Sequence, residues 1–192
     1  MKTGLIFGLA FVVLAGIIFG FMAMGTYNGL VDKNNSAIKA WDDVEAAYQR
    51  RLDTIPKFAK NAQFSADFQN KLATEYAKAR EGVKDAASTS QPGTLQDVAN
   101  KHFNGLMIAV RQEAAIEAKI DQLTELNAEI ENIERVINHE RKAYNDAVRV
   151  YNNAVQKVPG CWFISMFGWD FPSVEGFSAE PGAETSPDYD LE

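Results

Sequence analysis

The sequence predicts an all-α protein: a single N-terminal transmembrane helix, an elongated up-down four-helix bundle, and an irregular C-terminal tail. Three observations predict it. Residues Gly4 to Gly25 form one uncharged apolar run. Behind that run, apolar residues recur at steps of three and four over several long stretches. No stretch of any length alternates with the period of two that a half-buried strand needs. The implied division is an anchor over 1–26, a helical domain over 27–158, and an aromatic then acidic tail over 159–192.

The run reads GLIFGLAFVVLAGIIFGFMAMG. At about 1.5 Å per residue, a helix of about 22 residues crosses a hydrocarbon core of about 30 Å. The alternative is a cleaved signal peptide, whose apolar core is usually about 7–15 residues. This run is longer, and Met22-Ala23-Met24-Gly25 is a poor small-x-small cleavage site. We therefore expect a retained anchor. Gly4/Gly8 and Gly16/Gly20 are GxxxG pairs, which let helix backbones approach in lipid; Gly is also simply common in membrane helices.

The first soluble helix carries Ala37, Trp41, Val44, Tyr48, Leu52, Ile55 and Phe58 on one face. Its polar face includes Asp42, Asp43, Glu45, Gln49, Arg50 and Arg51. No proline separates it from the apolar run, so the two can be one helix. Pro56 should kink or end it. A second helix starts after Ser65, a good N-cap, with Phe64, Phe68, Leu72, Tyr76, Ala79 and Val83 as its face. Gly82 and then Ala86 to Gly93 read as a loop. Thr94 and Asp97 resemble a capping box opening a third helix, with Val98, Phe103, Leu106, Ala109 and Val110 inward.

The longest stripe is Ile116, Ile120, Leu123, Leu126, Ile130, Ile133, Ile137, Tyr144, Val148, Tyr151 and Val155. With the seven-residue gap from Ile137 to Tyr144 counted as two steps, its steps average about 3.5 residues, close to a coiled-coil seam. We place a break between Ala114 and Lys119, because one helix from Thr94 onward is too long for a compact domain. Pro159-Gly160 stops the stripe, and the aromatic segment Cys161 to Phe171 follows. Counting helices up and down brings that segment back to the bilayer surface, where Trp162, Phe163, Phe167 and Trp169 are candidate lipid contacts. The alternative is that these rings cap the open end of the bundle.

Charge is divided unevenly. After Lys157 there is no Lys or Arg, while Asp170, Glu175, Glu180, Glu184, Asp188, Asp190 and Glu192 are all acidic. The rest of the chain balances its 19 Lys and Arg, which excludes the basic footprint of a nucleic-acid binder. The single cysteine, Cys161, excludes an internal disulfide framework and a multi-cysteine zinc site.

No catalytic constellation is present. A di-metal carboxylate site in a helical bundle needs Glu-x-x-His on two helices. The only histidines, His102 and His139, follow Ala99 and Val136 at that spacing. There is no glycine-rich phosphate loop and no nucleophile elbow. Cys161 lies among aromatic residues without an adjacent base. The densest charged patch is Arg50, Arg51 and Asp53 beside Pro56. It can grip a lipid phosphate or a partner carboxylate, or be a solvated helix face with local ion pairs.

Several segments stand in a familiar order. Tyr27-Asn28-Gly29-Leu30-Val31 follows the membrane segment, and Ala40-Trp41 leads into Tyr48-Gln49-Arg50-Arg51-Leu52-Asp53-Thr54-Ile55-Pro56. Ala79-Arg80, Glu134, Glu140-Arg141, Tyr144-Asn145 and Tyr151-Asn152 come next. Phe167-Gly168-Trp169, Phe177, Gly182-Ala183-Glu184 and Pro187 close the series. The chain resembles the LemA family of bacterial membrane-anchored helical proteins over nearly its whole length. It departs from the family pattern at Lys57, where Asn is usual, and at Ala114-Ala115, where a Tyr-Pro break is usual. The resemblance implies a long-helix bundle and brings no established enzymatic activity.

The expectation is a non-catalytic, single-pass scaffold or adaptor without a cofactor, at the bacterial cell membrane. Its partners are membrane lipid, other membrane proteins and a second copy of itself. The alternatives are a lipid-interacting module that organises membrane, or a non-catalytic subunit of an envelope enzyme. Lys2 before the run and Lys33 and Lys39 after it balance, so positive charge gives no orientation. The resemblance favours a cytoplasmic domain.

Overall fold

The computed structural model describes residues 2–178, with side chains from residue 6 onward. It is all-helical: α1 (Lys2–Asn61), α2 (Ala66–Ser88), α3 (Pro92–Ile116), α4 (Leu123–Gln156) and α5 (Gly160–Phe167), with a 3-10 turn at Ile120–Gln122. Among the described residues there is no strand. The contacts divide the chain into two units. One gathers the chain up to Lys39 with Asp146–Val174; the other gathers Ala40–Asn145 with the chain from Glu175.

In the larger unit, the whole expected stripe of α1 from Trp41 to Phe58 is buried. Trp41 Nε1 donates to the Ala87 carbonyl of α2 at 3.1 Å. The same indole packs on Tyr144 of α4, ring centroids 5.2 Å apart. Pro56 does not end α1, which runs five residues further. Phe58 and Ala59, and Ala62 just past the helix end, remain buried beyond it. Their burial outweighs the single hydrogen bond that proline removes.

Ser65 caps α2 as its pattern predicts, accepting from Phe68 N. The helix does not stop at Gly82. It continues to Ser88, because Val83, Ala86 and Ala87 keep a buried face. Gly82 instead admits a neighbour: a Cβ there would lie 2.6 Å from Nε2 of His102 on α3. The capping box at Thr94 is also absent. Gln91 is the N-cap, without a side-chain hydrogen bond, and Pro92 begins α3. Proline is pre-set for a first helical position, where its missing N–H has no partner to lose.

The inward face of α3 is Leu95, Ala99, Phe103, Leu106, Met107, Val110 and Ala114. Val98 and Ala109 flank it, half-buried, rather than forming it. The chain breaks at Glu117–Lys119, inside the expected window, with Ala118 at φ 54°. Ile116 and Ile120 border this break and point outward, Ile116 being 76% exposed. They do not belong to the stripe of α4, whose fully buried members in this unit are Leu126, Ile137 and Tyr144.

In the smaller unit, α1 exposes Ile6, Phe7, Leu9, Phe11 and nearly every later side chain through Met24, Ala23 excepted. Leu30 is buried. Tyr151 of α4 is buried, and Pro159-Gly160 ends the turn after Gln156. Gly160 is required there: a Cβ would lie 1.9 Å from the Ala154 carbonyl oxygen. The aromatic segment, expected to be irregular, forms α5. Gly168 closes it in the left-handed region at φ 64°, donating to the Ile164 carbonyl. The chain from 171 to 178 is irregular, as expected.

Candidate functional site

Arg51 is the centre of the larger unit's polar chemistry. It sits three residues after Tyr48, four before Ile55 and seven after Val44, so the helix turns it toward the buried stripe. Only 4% of it is exposed. Nη1 donates to Glu134 Oε1 of α4 at 2.6 Å, and Nη2 donates to Asn100 Oδ1 of α3 at 2.8 Å. The guanidinium lies over the Phe103 ring at 4.4 Å and the Tyr48 ring at 5.3 Å. Its Nε has no hydrogen-bond partner. Glu134 keeps 39% of its side chain exposed, so the pair is half in water.

Beside this pair opens a cavity of about 530 Å³, lined by Arg51, Asn100, Glu134, Ile137, Asn138 and Arg141 among others. Arg141 donates to the Ser178 carbonyl at 3.2 Å and stacks on the Phe177 ring. The lining offers amides, guanidinium groups, the Lys142 ammonium, the hydroxyls of Tyr48 and Ser178 and one carboxylate, a set that can bind a polar group.

The expected patch of Arg50, Arg51 and Asp53 is not one site. Arg50 is exposed and Arg51 points inward. Asp53 accepts a short hydrogen bond from the Tyr76 hydroxyl of α2. Burial, and then Asp53, raise the Tyr76 pKa above its ordinary value, which keeps the phenol protonated as a donor. Successive helical residues differ by about 100° in direction, so neighbours in sequence reach different partners.

The two Tyr-Asn pairs of α4 have a shared role that sequence reasoning missed. In the larger unit, Tyr144 Oη donates to the Glu175 carbonyl at 3.0 Å. Asn145 Nδ2 donates to the Phe177 carbonyl at 3.0 Å, and its Oδ1 accepts from Phe177 N at 2.7 Å. In the smaller unit, Tyr151 Oη donates to the Pro172 carbonyl at 2.9 Å. Asn152 brackets Val174 in the same two-point way, at 2.8 and 3.0 Å. Each amide imitates a strand neighbour for one residue of the irregular segment. Burial pushes both tyrosines above their ordinary pKa, with Glu175 and Asp170 adding to it respectively. The signal was the seven-residue repeat itself.

In the smaller unit, Phe163 packs on Phe19 of α1 at 5.3 Å between centroids, and Phe167 on Phe19 at 6.5 Å. Trp169 meets Tyr27 edge-on at 5.0 Å. Trp162 points away, 65% exposed. Three of the four candidate aromatic residues therefore come together, and Trp162 does not join them. Gly8, Gly16 and Gly20 have open space where a Cβ would stand, and the surroundings of Gly4 lie outside the described residues. Cys161 is a free thiol, half-buried. His139 is exposed, and His102 faces Gly82. Among the described residues no three His, Cys, Asp or Glu side chains gather at metal-binding distance.

These elements define an all-helical protein with one N-terminal helix long and apolar enough to cross a membrane, and a C-terminal segment strapped to its last long helix. The family sequence profile that matches is the LemA family, over residues 40–190, and the chain belongs to that family. The match covers the buried stripe of α1, Arg51 and both Tyr-Asn pairs. No curated protein and no solved structure matches the chain.

Proposed function

We propose that this protein is a membrane-tethered helical scaffold or adaptor that binds protein partners, and itself, at the bacterial cell membrane. In this reading Gly4 to Gly25 crosses the bilayer, and the helical segments from Ala40 onward form an up-down four-helix bundle outside it. One observation carries the reading. Within the single helix α1, the uncharged N-terminal stretch exposes apolar side chains all around, while the stretch after Lys39 buries one stripe. An apolar helix exposed on every side is matched to lipid, and a one-sided stripe to a protein core in water.

Support for a non-catalytic role comes from how the charged groups are used. Arg51 is held by Glu134 and Asn100, and Asp53 by Tyr76, so both serve packing between helices. Self-association would use Gly16 and Gly20, whose faces are open. The experiment compares the full chain with one lacking residues 1–25. The full chain is expected to stay with membranes after alkaline carbonate extraction, and the shortened chain to be released. Release of both would refute the anchor. Crosslinking in membranes tests self-association: Gly16→Ile with Gly20→Ile should lower the oligomer yield, and a wild type found only as monomer refutes it.

A further inference from the structure

We propose that α5 and the turn after it lie inside the interfacial layer of the bilayer, folded back along the anchor. The protein then meets lipid through a second, C-terminal element. This rests on the membrane reading of α1 above.

Within the smaller unit, α5 starts beside Leu30, whose Cδ2 lies 3.9 Å from where a Gly160 Cβ would be. It then runs back along α1, so that Phe163 and Phe167 stand against Phe19. Phe19 is six residues inside Gly25, about 9 Å along the helix from the end of the uncharged run. Gly168 turns the chain, and Trp169 and Phe171 return to Tyr27, with ring centroids 5.0 and 5.7 Å away. Tyr27 lies two residues past the run, at the level where Trp and Tyr form the aromatic belt of membrane proteins.

Apart from Ser165, the outer face of α5 is apolar. Trp162 is 65% exposed, Met166 61% and Phe167 49%. Ile17, Ile18, Phe21 and Met22, which flank Phe19 on α1, are exposed too. From Val158 through Trp169 there is no Asp, Glu, Lys, Arg or His, and the segment is bracketed by Lys157 and Asp170. Charges at both ends and none between is the layout of a segment that dips into the acyl boundary and comes out again. Interfacial helices lie about 5–10 Å deep, which agrees with the level of Phe19. The occupant of this face is therefore lipid acyl chain. A protein interface of this kind would carry a rim of charged and polar groups, and α5 has no charged residue, the Ser165 hydroxyl being its one exposed polar side chain.

The test uses the full chain in vesicles of phosphatidylcholine and phosphatidylglycerol. Trp162 is made the sole tryptophan by Trp41→Phe and Trp169→Phe, and lipids brominated at shallow and deep acyl positions serve as quenchers. Emission is expected to fall to roughly half with the shallow bromines and less with the deep ones, while aqueous iodide has little effect. Quenching by iodide and not by lipid would overturn the proposal. So would protection from both, which would mean that a second copy or another protein covers the face. A parallel variant with Phe11→Trp in a tryptophan-free background reports on the anchor alone. If Phe11→Trp is quenched by deep bromines and Trp162 is not, this inference fails and the anchor stands; if neither is quenched, the membrane reading fails as well. Should replacing the buried Trp41 unfold the protein, an environment-sensitive fluorophore on the native Cys161 gives the same depth reading in the wild-type sequence.

Discussion

The two ends of α1 use similar side chains for opposite purposes. Leu14 and Leu52 belong to one unbroken helix, yet Leu14 is 57% exposed and Leu52 is 1% exposed. The difference lies in what stands on the other faces. Around Leu14 every neighbour is apolar, so no direction is better satisfied by water. Around Leu52, Arg50, Asp53 and Lys57 mark the polar side, and the remaining stripe must find protein. Helical structure is common to both; the distribution of charge around the helix decides which solvent each half is built for.

The comparison is broken most sharply by matched substitutions. Leu52→Ala is expected to cost about 2–5 kcal/mol in denaturant unfolding of the detergent-solubilised protein, and Leu14→Ala about zero. Equal losses would show that the N-terminal half of α1 is packed as a core. Arg51→Ala comes next. A fully buried pair loses about 3–5 kcal/mol when broken, and the partial exposure of Glu134 reduces the expected loss to about 2–3 kcal/mol. A loss close to zero would mean that the packing on Phe103 and Tyr48 does not depend on the charge.

The smaller unit should respond to backbone spacing rather than to charge. Gly160→Ala must displace the Ala154 carbonyl or α5, at a cost of about 1–3 kcal/mol, and should raise the solvent quenching of Trp162 and Trp169. Unchanged stability and emission would show that the close approach is not needed. Asn145→Ala and Asn152→Ala each remove a two-point amide contact, with an expected loss of about 1–2 kcal/mol and faster hydrogen exchange at Phe177 N and Val174 N respectively. If exchange changes in one unit only, the two Tyr-Asn pairs are not equivalent.

The smallest effect concerns the corner before α2. Glu117 accepts from Lys119 Nζ at 2.7 Å and from Ser65 N at 2.9 Å. These contacts, Lys119 foremost, hold its pKa down at about 2. Because the folded value lies below the unfolded one, the contribution is complete above the ordinary Glu range and is lost as pH falls toward 2. A carboxyl titration by NMR should show this, and Glu117→Gln should flatten the stability profile between pH 5 and 2. An ordinary Glu titration would show that the corner is open in solution.

How far the sequence could be read follows from the kind of interaction involved. The α1 stripe was legible because burial on one helix face imposes a fixed spacing, and each residue from Trp41 to Phe58 obeys it. Ser65 was legible because an N-cap is a local hydrogen bond. The extension of α2 past Gly82 was not, since the burial of Val83, Ala86 and Ala87 that carries it depends on other helices arriving against them. The Thr94 capping box gave way to Pro92, two residues earlier. Ile116 fitted the period of α4 but lies before a break that carries neither Gly nor Pro, and Ile120 fitted it but lies in the 3-10 turn that precedes the helix.

By itself, then, the sequence determined the all-helical class, the uncharged N-terminal stretch and the family, because periodicity, charge and motif order are properties of the chain. Only tertiary structure decided that Arg51 turns inward to Glu134 and Asn100 while Arg50 stays in water. It also decided that the Tyr-Asn pairs hold the irregular segment after α5, and that the aromatic segment is a helix against Phe19. Each of these depends on a partner remote in sequence. The energy that selects it, whether a paired charge, a bracketed peptide or a ring on a ring, exists only once that partner is in place.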